Sequence, residues 1–245
     1  MKTPRFFCDF ELEPNTVTPL PKAVSHHVRV RRLKAGEQII LFDGSGQEFI
    51  ANLTFEADGT CQASLGQGEH INRECDGHIT LVQAFASQDR MDWVVEKAVE
   101  LGVKSFIATP AVRSVMKLAP ERAAKRLKHW EGIVQSASEQ CGRNQLMTVQ
   151  TADSLKHARA LTGNAPKLLF TPHAKQTLGD SAVLQPVQTH GGVTLFVGPE
   201  GGWDSAELEQ ITQFPATSVQ LGPRVLRTET AGLYATACLS TLLGW

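Results

Sequence analysis

The sequence predicts a mixed α/β protein in which a small β-rich domain precedes a larger domain of alternating strands and helices. Up to about residue 70, short apolar runs are separated by turn signals, and from residue 78 onward strand-like runs alternate with segments of helical spacing. A polar, glycine-rich segment from Gly66 to Gly77 separates the two patterns. We therefore expect one domain over residues 1–70 and a second over residues 71–245.

The first domain is predicted to be built from short strands. Gln38–Phe42 is a strand that ends in the turn sequence Asp43–Gly46, and Glu48–Leu53 alternates polar and apolar residues with a period of two. A second turn at Asp58 and Gly59 precedes another strand, Cys61–Leu65. Strands of this length and spacing predict a small barrel.

The second domain is predicted to contain a mostly parallel sheet, because its strands alternate with helices. The expected strands are His78–Phe85, Ser105–Ala108, Leu168–Thr171, Val193–Val197 and Thr217–Leu221. The expected helices run from an Asp89 cap to Gly102, from about Pro120 to Gln140, from a capping box of Asp204 and Glu207, and from about Thr228 to Leu243.

Composition argues against several classes of protein. We expect neither a membrane span nor a signal peptide, because no apolar run is long enough and the N-terminus lacks an apolar core. The five cysteines are odd in number and form no Cys-x-x-Cys pair, which favours a reducing cytoplasm over disulfides or a cysteine zinc site. The histidines lack ligand-spaced partners, so we expect no metal.

Charge is neutral overall but clustered. The net charge of −1 argues weakly against nucleic acid binding. Residues 22–34, however, carry five basic side chains and no acidic one, and residues 113–128 carry six basic side chains, Lys117 among them, against Glu121 alone. Such runs can attract phosphates, although solvated helix or strand faces are the ordinary alternative.

Three strand ends have unusual sequences and are expected to be neighbours at one edge of the sheet, where ligands bind in open α/β folds. They are residues 170–173, 197–203 and 221–227. Glycines there let backbone groups approach a ligand closely, although each loop alone could be a tight turn. The second loop lacks the Lys-Ser/Thr of a phosphate loop and carries Glu200, so the pocket suits a cationic or neutral ligand.

These segments, taken in order, resemble the SPOUT class of RNA methyltransferases, and most closely the bacterial family that methylates N3 of a uridine in 16S ribosomal RNA. Residues 26–32 and 41–44 are similar to that family's PUA-like N-terminal barrel, residues 90–103 to its first catalytic-domain helix, and residues 137–143 to a loop near the target base. Residues 198–202 and 221–231 carry its most specific motifs. Pro223 departs from the family pattern and is expected to stiffen the loop.

The resemblance implies a SPOUT-type α/β domain with a C-terminal trefoil knot, preceded by a PUA-like β-barrel. It further implies a homodimer that binds S-adenosylmethionine in the knot and acts on 16S ribosomal RNA or the 30S subunit. The implied RNA-binding residues are His27, Arg29, Arg31 and Arg32. The implied cofactor-binding residues are Phe170, Thr171, Pro172, Val197, Gly198, Pro199, Glu200, Gly201, Gly202, Leu221, Gly222, Val225, Leu226, Thr230 and Ala231.

Methylation of the N3 imide needs a group that accepts its proton and donors that stabilise the charge left on the base. Arg227, where the third loop meets the last helix, is the first candidate for the donor, and Arg143 is the second. Either Glu139 or Glu229 could accept the proton, while phosphate contacts or surface ion pairs are alternative roles for both arginines. Two other functions stay open: a SPOUT enzyme acting on another RNA position, and an RNA-binding assembly factor with a degenerate pocket.

Overall fold

A computed structural model of the protein describes residues 3–116, 120–213 and 216–245. Lys117 of the second basic run therefore lies outside the described residues. The chain divides into two compact units. The first contains Met1–Glu74 together with Ser138–Leu146, and the second contains Cys75–Ala137 and Met147–Trp245. The return of residues 138–146 to the first unit was not predicted, because it is a tertiary contact between distant parts of the chain.

The first unit is a sheet with one helix packed into its core. Its strands are β1 (Arg5–Phe7), β2 (Val17–Pro19), β3 (Gln38–Phe42), β4 (Gln47–Phe55) and β5 (Cys61–His70), in the order β1-β3-β4-β5-β2. Only the β1–β3 pairing is parallel among the pairs described. No hydrogen-bonded pairing closes β1 onto β2 among the described residues, so the ladder of the predicted barrel is open there.

Helix α1 (Lys22–Val30) lies where the sequence indicated only a basic run in a β-rich region. Its buried residues Val24 and Val28, four positions apart, join Phe6, Leu41 and Phe49 in the core. Lys22, His26, His27 and Arg29 are exposed on the same helix, and these polar side chains hid the apolar pair from the sequence prediction.

The second unit is built around a parallel sheet, which confirms the predicted α/β class. Its strands are β6 (His78–Ala84), β7 (Ser105–Thr109), β8 (Thr148–Thr151), β9 (Lys167–Phe170), β10 (Gln176–Thr177), β11 (Gly192–Val197) and β12 (Ala216–Gln220). Their order is β10-β12-β9-β11-β6-β7-β8, and every pairing described is parallel. β8 and β10, both short, were not predicted.

The helices that begin in this unit are α2 (Gln88–Glu100), α3 (Pro120–Cys141), α4 (Leu155–Ala160), α5 (Ser181–His190), α6 (Ser205–Thr212) and α7 (Thr228–Leu243). The helices α2, α3, α6 and α7 were predicted, whereas α4 and α5 were not. Asp204 and Glu207 form the predicted capping box of α6. The Asp89 cap was wrong: Ser87 is the N-cap of α2, and Asp89 lies inside its first turn, where a carboxylate favours the helix dipole. Within the described chain, no helix has both the length and the apolarity to cross a membrane.

The strand order brings the three unusual loops together, as predicted. β9 lies between β12 and β11 and pairs in parallel with both. Their C-terminal ends therefore meet at one edge of the sheet, so the loops that follow Phe170, Val197 and Gln220 start side by side.

Candidate functional site

A pocket of about 770 Å³ opens at this edge of the second unit. Its volume lies within the range of small-molecule sites, roughly 300–1,000 Å³. It is lined by Phe170, Thr171, Pro172, Val197, Gly198, Pro199, Glu200, Gly201, Gly202, Leu221, Gly222, Val225, Leu226 and Ala231, all predicted cofactor residues. Thr230, the remaining predicted residue, is not among the lining residues.

The glycines of the pocket wall are required by space and by backbone angle. A Cβ on Gly201 would lie 2.9 Å from Cβ of Arg113, closer than carbon atoms can approach without a shift. Gly202 and Gly222 have φ angles of +67° and +94°, in the left-handed region that side chains disfavour. Substitution at any of these positions would displace the backbone that forms the wall.

The loop after β11 is fastened to neighbouring elements. The hydroxyl of Thr228 donates to the carbonyl of Gly198, and the guanidinium of Arg113 donates to the carbonyl of Gly201 at 3.1 Å. At the loop's far end, Glu207 of the capping box also accepts the amide of Val112 at 2.8 Å. The loop is thus held by side chains from α7, α6 and the segment after β7.

Arginines dominate the charge at the pocket. Arg90 donates to Glu200 at 2.8 Å and lies 3.5 Å from Glu229, and Arg227 lies 3.9 Å from the same Glu229 oxygen. Arg113 and Arg224 also line the pocket. Glu200, on which the prediction of a cationic or neutral ligand rested, is paired with Arg90, which comes from α2 and is distant in sequence.

The lining combines an apolar, glycine-rich wall with a basic rim. Phe170, Val219, Leu221 and Leu226 contribute apolar surface, whereas the side chain of Arg227 is 78% exposed. Such a site can hold a mostly apolar ligand by main-chain hydrogen bonds and receive a polyanion at its mouth.

The predicted catalytic residues are distributed between the two units. Arg227 lines the pocket, but Arg143 lies in the first unit, where its guanidinium forms a buried ion pair with Glu74. Arg143 Nε donates to Glu74 Oε1 at 3.0 Å, and both side chains are almost fully buried. The structure thus gives Arg143 a partner within its own unit.

Glu139 also belongs to the first unit, where its carboxylate accepts the amide of Phe7 at 3.0 Å. Burial raises the pKa of Glu139 above its ordinary value, against the lowering influence of this hydrogen bond and of the nearby positive charges of His27, Arg31 and Arg5. A carboxylate with a raised pKa is a better proton acceptor than an ordinary one.

The predicted RNA-binding residues are all exposed and lie in the last turn of α1 or directly after it. His27 and Arg29 lie on the helix, Arg31 caps its C-terminus, and Arg32 follows with a positive φ of +55°. The guanidinium of Arg31 lies 5.9 Å from the ring centre of Phe6. A basic surface of this kind suits phosphate contacts.

Sequence reasoning missed the functional placement of Arg90 and Arg113. Arg90 begins the segment with the family's helix motif, and Arg113 begins the second basic run, but neither position indicated a contact with the loop after β11. No group of side chains suited to a metal ion occurs among the described residues.

The fold and the pocket define a methyltransferase domain of the kind that acts on RNA. A family described as RNA methyltransferase domain matches residues 73–240, and one described as RNA methyltransferase PUA domain matches residues 20–65. The ribosomal RNA small subunit methyltransferase E of Bacillus subtilis is 30% identical over 93% of this chain and 91% of its own length.

Solved structures similar to this chain are methyltransferases as well. The crystal structure of ribosomal RNA small subunit methyltransferase E from Neisseria gonorrhoeae, bound to S-adenosylmethionine, is 36% identical, covers 98% of each chain and has a TM-score of 0.88. A methyltransferase of Legionella pneumophila with bound cofactor has 30% identity, the same coverage and a TM-score of 0.88. The chain belongs to the family of ribosomal RNA small subunit methyltransferase E.

Proposed function

We propose that this protein transfers the methyl group of S-adenosylmethionine to N3 of a uridine in 16S ribosomal RNA of the small ribosomal subunit. The observation that carries the proposal is the glycine-lined pocket with a basic rim, in a chain of this family. The uridine N3 target follows the resemblance of residues 137–143 and 221–231 to the family motifs.

The pocket fits the proposed cofactor. The glycine wall leaves the backbone open to an adenosine moiety, and apolar side chains from β9, β12 and the third loop can contact the base. The indole nitrogen of Trp203 is buried without a hydrogen-bond partner in the described structure, although Trp203 lines the pocket. When bound, the cofactor supplies an electrophilic methyl group.

We assign the stabilisation of the base to Arg227, whose exposed guanidinium lies on the pocket rim. Loss of the imide proton leaves negative charge on the uracil oxygens, and a guanidinium stabilises that charge by hydrogen bonding. Glu139 is our candidate for the proton acceptor because of its raised pKa. Glu229, the alternative, holds Arg90 and Arg227, and its second oxygen is buried without a partner in the described structure.

The contacts of Arg143 support a role in positioning the loop that carries it better than a role as a direct hydrogen-bond donor to the target base. Its guanidinium is engaged by Glu74, and the side-chain amide of the adjacent Asn144 donates to the Ile71 carbonyl at 3.1 Å. These contacts hold the loop that resembles the family's target-base loop.

We further propose that residues 1–70 act as the PUA-like RNA-binding domain through His27, Arg29, Arg31 and Arg32, and that residues 71–245 form a SPOUT domain with a C-terminal trefoil knot.

We also propose that the protein is a homodimer. Helices α2 and α7 lie against each other within the chain, and both expose apolar side chains that a second copy could cover. Trp93, Tyr234 and Leu242 are each 44% or more exposed. Light scattering of the purified protein tests the dimer. A cytoplasmic location suits both the substrate and the five free cysteines.

Methylation of 30S particles and of free 16S RNA from a strain lacking the activity tests the function. Nucleoside mass spectrometry should find N3-methyluridine in one of these substrates. Methylation at another position would support another SPOUT activity. Absence of both methylation and calorimetric binding of S-adenosylmethionine would support an assembly factor.

A further inference from the structure

The peptide bond between Gly198 and Pro199 can be anchored at only one point. Proline has no amide hydrogen, so the Gly198 carbonyl is the sole polar group of this peptide. That carbonyl accepts the hydroxyl proton of Thr228, the first residue of α7. Among the described residues, the Thr228 hydroxyl is the hydrogen-bond partner of this carbonyl, and it therefore orients the peptide at the start of the pocket loop.

The hydroxyl of Thr228 is itself oriented by a buried amide. Gln83, fully buried in β6, donates through Nε2 to Thr228 Oγ1 at 2.8 Å and to the carbonyl of Ala84 at 3.1 Å. Because a carbonyl can only accept, the Ala84 contact establishes which end of the Gln83 amide is the nitrogen. The hydrogen bonds therefore run in one direction, from Gln83 to Thr228 to Gly198.

We call these two hydrogen bonds, from Gln83 to Thr228 and from Thr228 to Gly198, the relay. A close approach of helix α7 to the sheet makes the relay possible. Gly232 lies one turn after Thr228 in α7, and a Cβ there would lie 2.9 Å from a methyl carbon of Leu81 and 3.2 Å from one of Val197. The helix backbone thus packs directly on β6 and β11. Val197, which precedes Gly198, is paired in register with Gln83.

The amide of Gln83 contributes less to stability than its position suggests. Its Oε1 is buried without a hydrogen-bond partner in the described structure, and an unsatisfied buried acceptor costs free energy. An apolar side chain of similar length would avoid this cost. The polar residue therefore serves the orientation of Thr228 rather than the stability of the core.

We propose that Thr228 and Gln83 are positioning residues that preorganise the pocket loop for the cofactor by holding the Gly198 carbonyl. This inference rests on the proposed function for the identity of the cofactor, but the effect on the loop is a property of the ligand-free protein. A loop ordered in advance binds its ligand more tightly because less entropy is lost on binding.

The test compares Thr228→Val, which removes the hydroxyl at constant shape, with Thr228→Ser, which keeps it. In the ligand-free protein, amide hydrogen exchange over residues 200–203 should be roughly tenfold faster in Thr228→Val, corresponding to the loss of one hydrogen bond. The Kd and KM for S-adenosylmethionine should rise by about the same factor while kcat at saturation stays within about twofold. Thr228→Ser should return the exchange rate, the Kd and the KM to their wild-type values.

Gln83→Met provides a second test, because it removes the amide that donates to Thr228. It should accelerate loop exchange and weaken cofactor binding in the same direction, roughly threefold, without lowering the urea midpoint of unfolding. Unchanged exchange and affinity in Thr228→Val would overturn the proposal, as would variants that only lose global stability. Absence of cofactor binding in the wild-type protein would contradict the proposed function, whereas the exchange experiment would still decide the role of the relay.

Discussion

The guanidinium of Arg90, on α2, lies 2.8 Å from the carboxylate of Glu200 in the pocket loop and 3.5 Å from that of Glu229 on α7. Two segments that are distant in the chain are thereby joined at the pocket by one side chain. The same contact cancels the negative charge of Glu200, so that the exposed arginines of the rim determine the local potential.

This bridge predicts a moderate effect of Arg90→Ala on cofactor binding. Arg90 makes two partly exposed ion pairs, which contribute about 0.2–1 kcal/mol each, so we expect the Kd for S-adenosylmethionine to rise about two- to thirtyfold. Calorimetry measures the change, and Lys97→Ala, which breaks exposed pairs elsewhere on α2, is the matched control. Equal effects of the two variants would contradict a specific role for Arg90.

Arg227→Ala should separate cofactor binding from methyl transfer. We expect the Kd for S-adenosylmethionine to stay within about twofold and the single-turnover rate on the ribosomal substrate to fall roughly 10²–10³-fold, because one donor to the developing anion is lost. Arg227→Lys should recover part of the rate. Unchanged turnover in the alanine variant would remove Arg227 from the reacting base.

Gly201→Ala should damage the pocket although the added group is a single methyl. Its Cβ would lie 2.9 Å from Cβ of Arg113, so the loop or the segment that carries Arg113 must move. We expect cofactor affinity to fall about tenfold. Gly132→Ala is the control, because Gly132 lies in α3 and a Cβ there would meet no atom of the described residues within 4 Å, apart from its chain neighbours and the backbone of its own helix. This variant should leave the cofactor affinity unchanged and raise the free energy of unfolding by about 0.5–1 kcal/mol.

The buried ion pair of Arg143 and Glu74 predicts a loss of stability. Arg143→Ala leaves a buried carboxylate unpaired and should lower the free energy of unfolding by about 3–5 kcal/mol, measured by urea denaturation. Replacing both residues, Arg143→Met with Glu74→Leu, should recover most of the loss. If this double variant were stable but unable to transfer methyl groups, Arg143 would contribute to activity, by positioning or by direct contact, and not to stability alone.

The lowered pKa of Glu48 predicts that the first unit becomes less stable at acidic pH. Burial alone would raise its pKa, but hydrogen bonds from Arg73, Arg5 and Asn144 lower it from 4.5 to about 2. Because the folded-state pKa is lowered, the stabilisation is fully present above pH 4.5 and is lost as the pH falls toward 2. It amounts to about 3 kcal/mol.

Unfolding of wild type and Glu48→Gln at a series of pH values measures this contribution. The variant should be less stable at pH 7, because Arg5 and Arg73 lose their ionised partner. The difference between the two proteins should shrink as the pH falls below 4.5. A difference that does not depend on pH would show that the ionisation of Glu48 is not involved.

Much of the second domain could be predicted from the sequence because its signals are local. Apolar runs such as Val193–Val197 and the capping box of Asp204 and Glu207 specify elements through contacts between close neighbours. Rules for parallel sheets then placed the glycine loops at one edge, and the structure confirms their adjacency. Helix α1 escaped prediction because only Val24 and Val28 mark its buried face.

The sequence by itself determined the α/β class, the adjacent strand ends and the glycine loops of the pocket. Only the tertiary structure decided what those residues contact. Arg90 reaches Glu200 across 110 positions, and Gln83 reaches Thr228 across 145. It also gave Arg143 a partner in Glu74, 69 positions away. Such pairings depend on side-chain packing between distant segments, and no local pattern of apolar residues or caps encodes that packing.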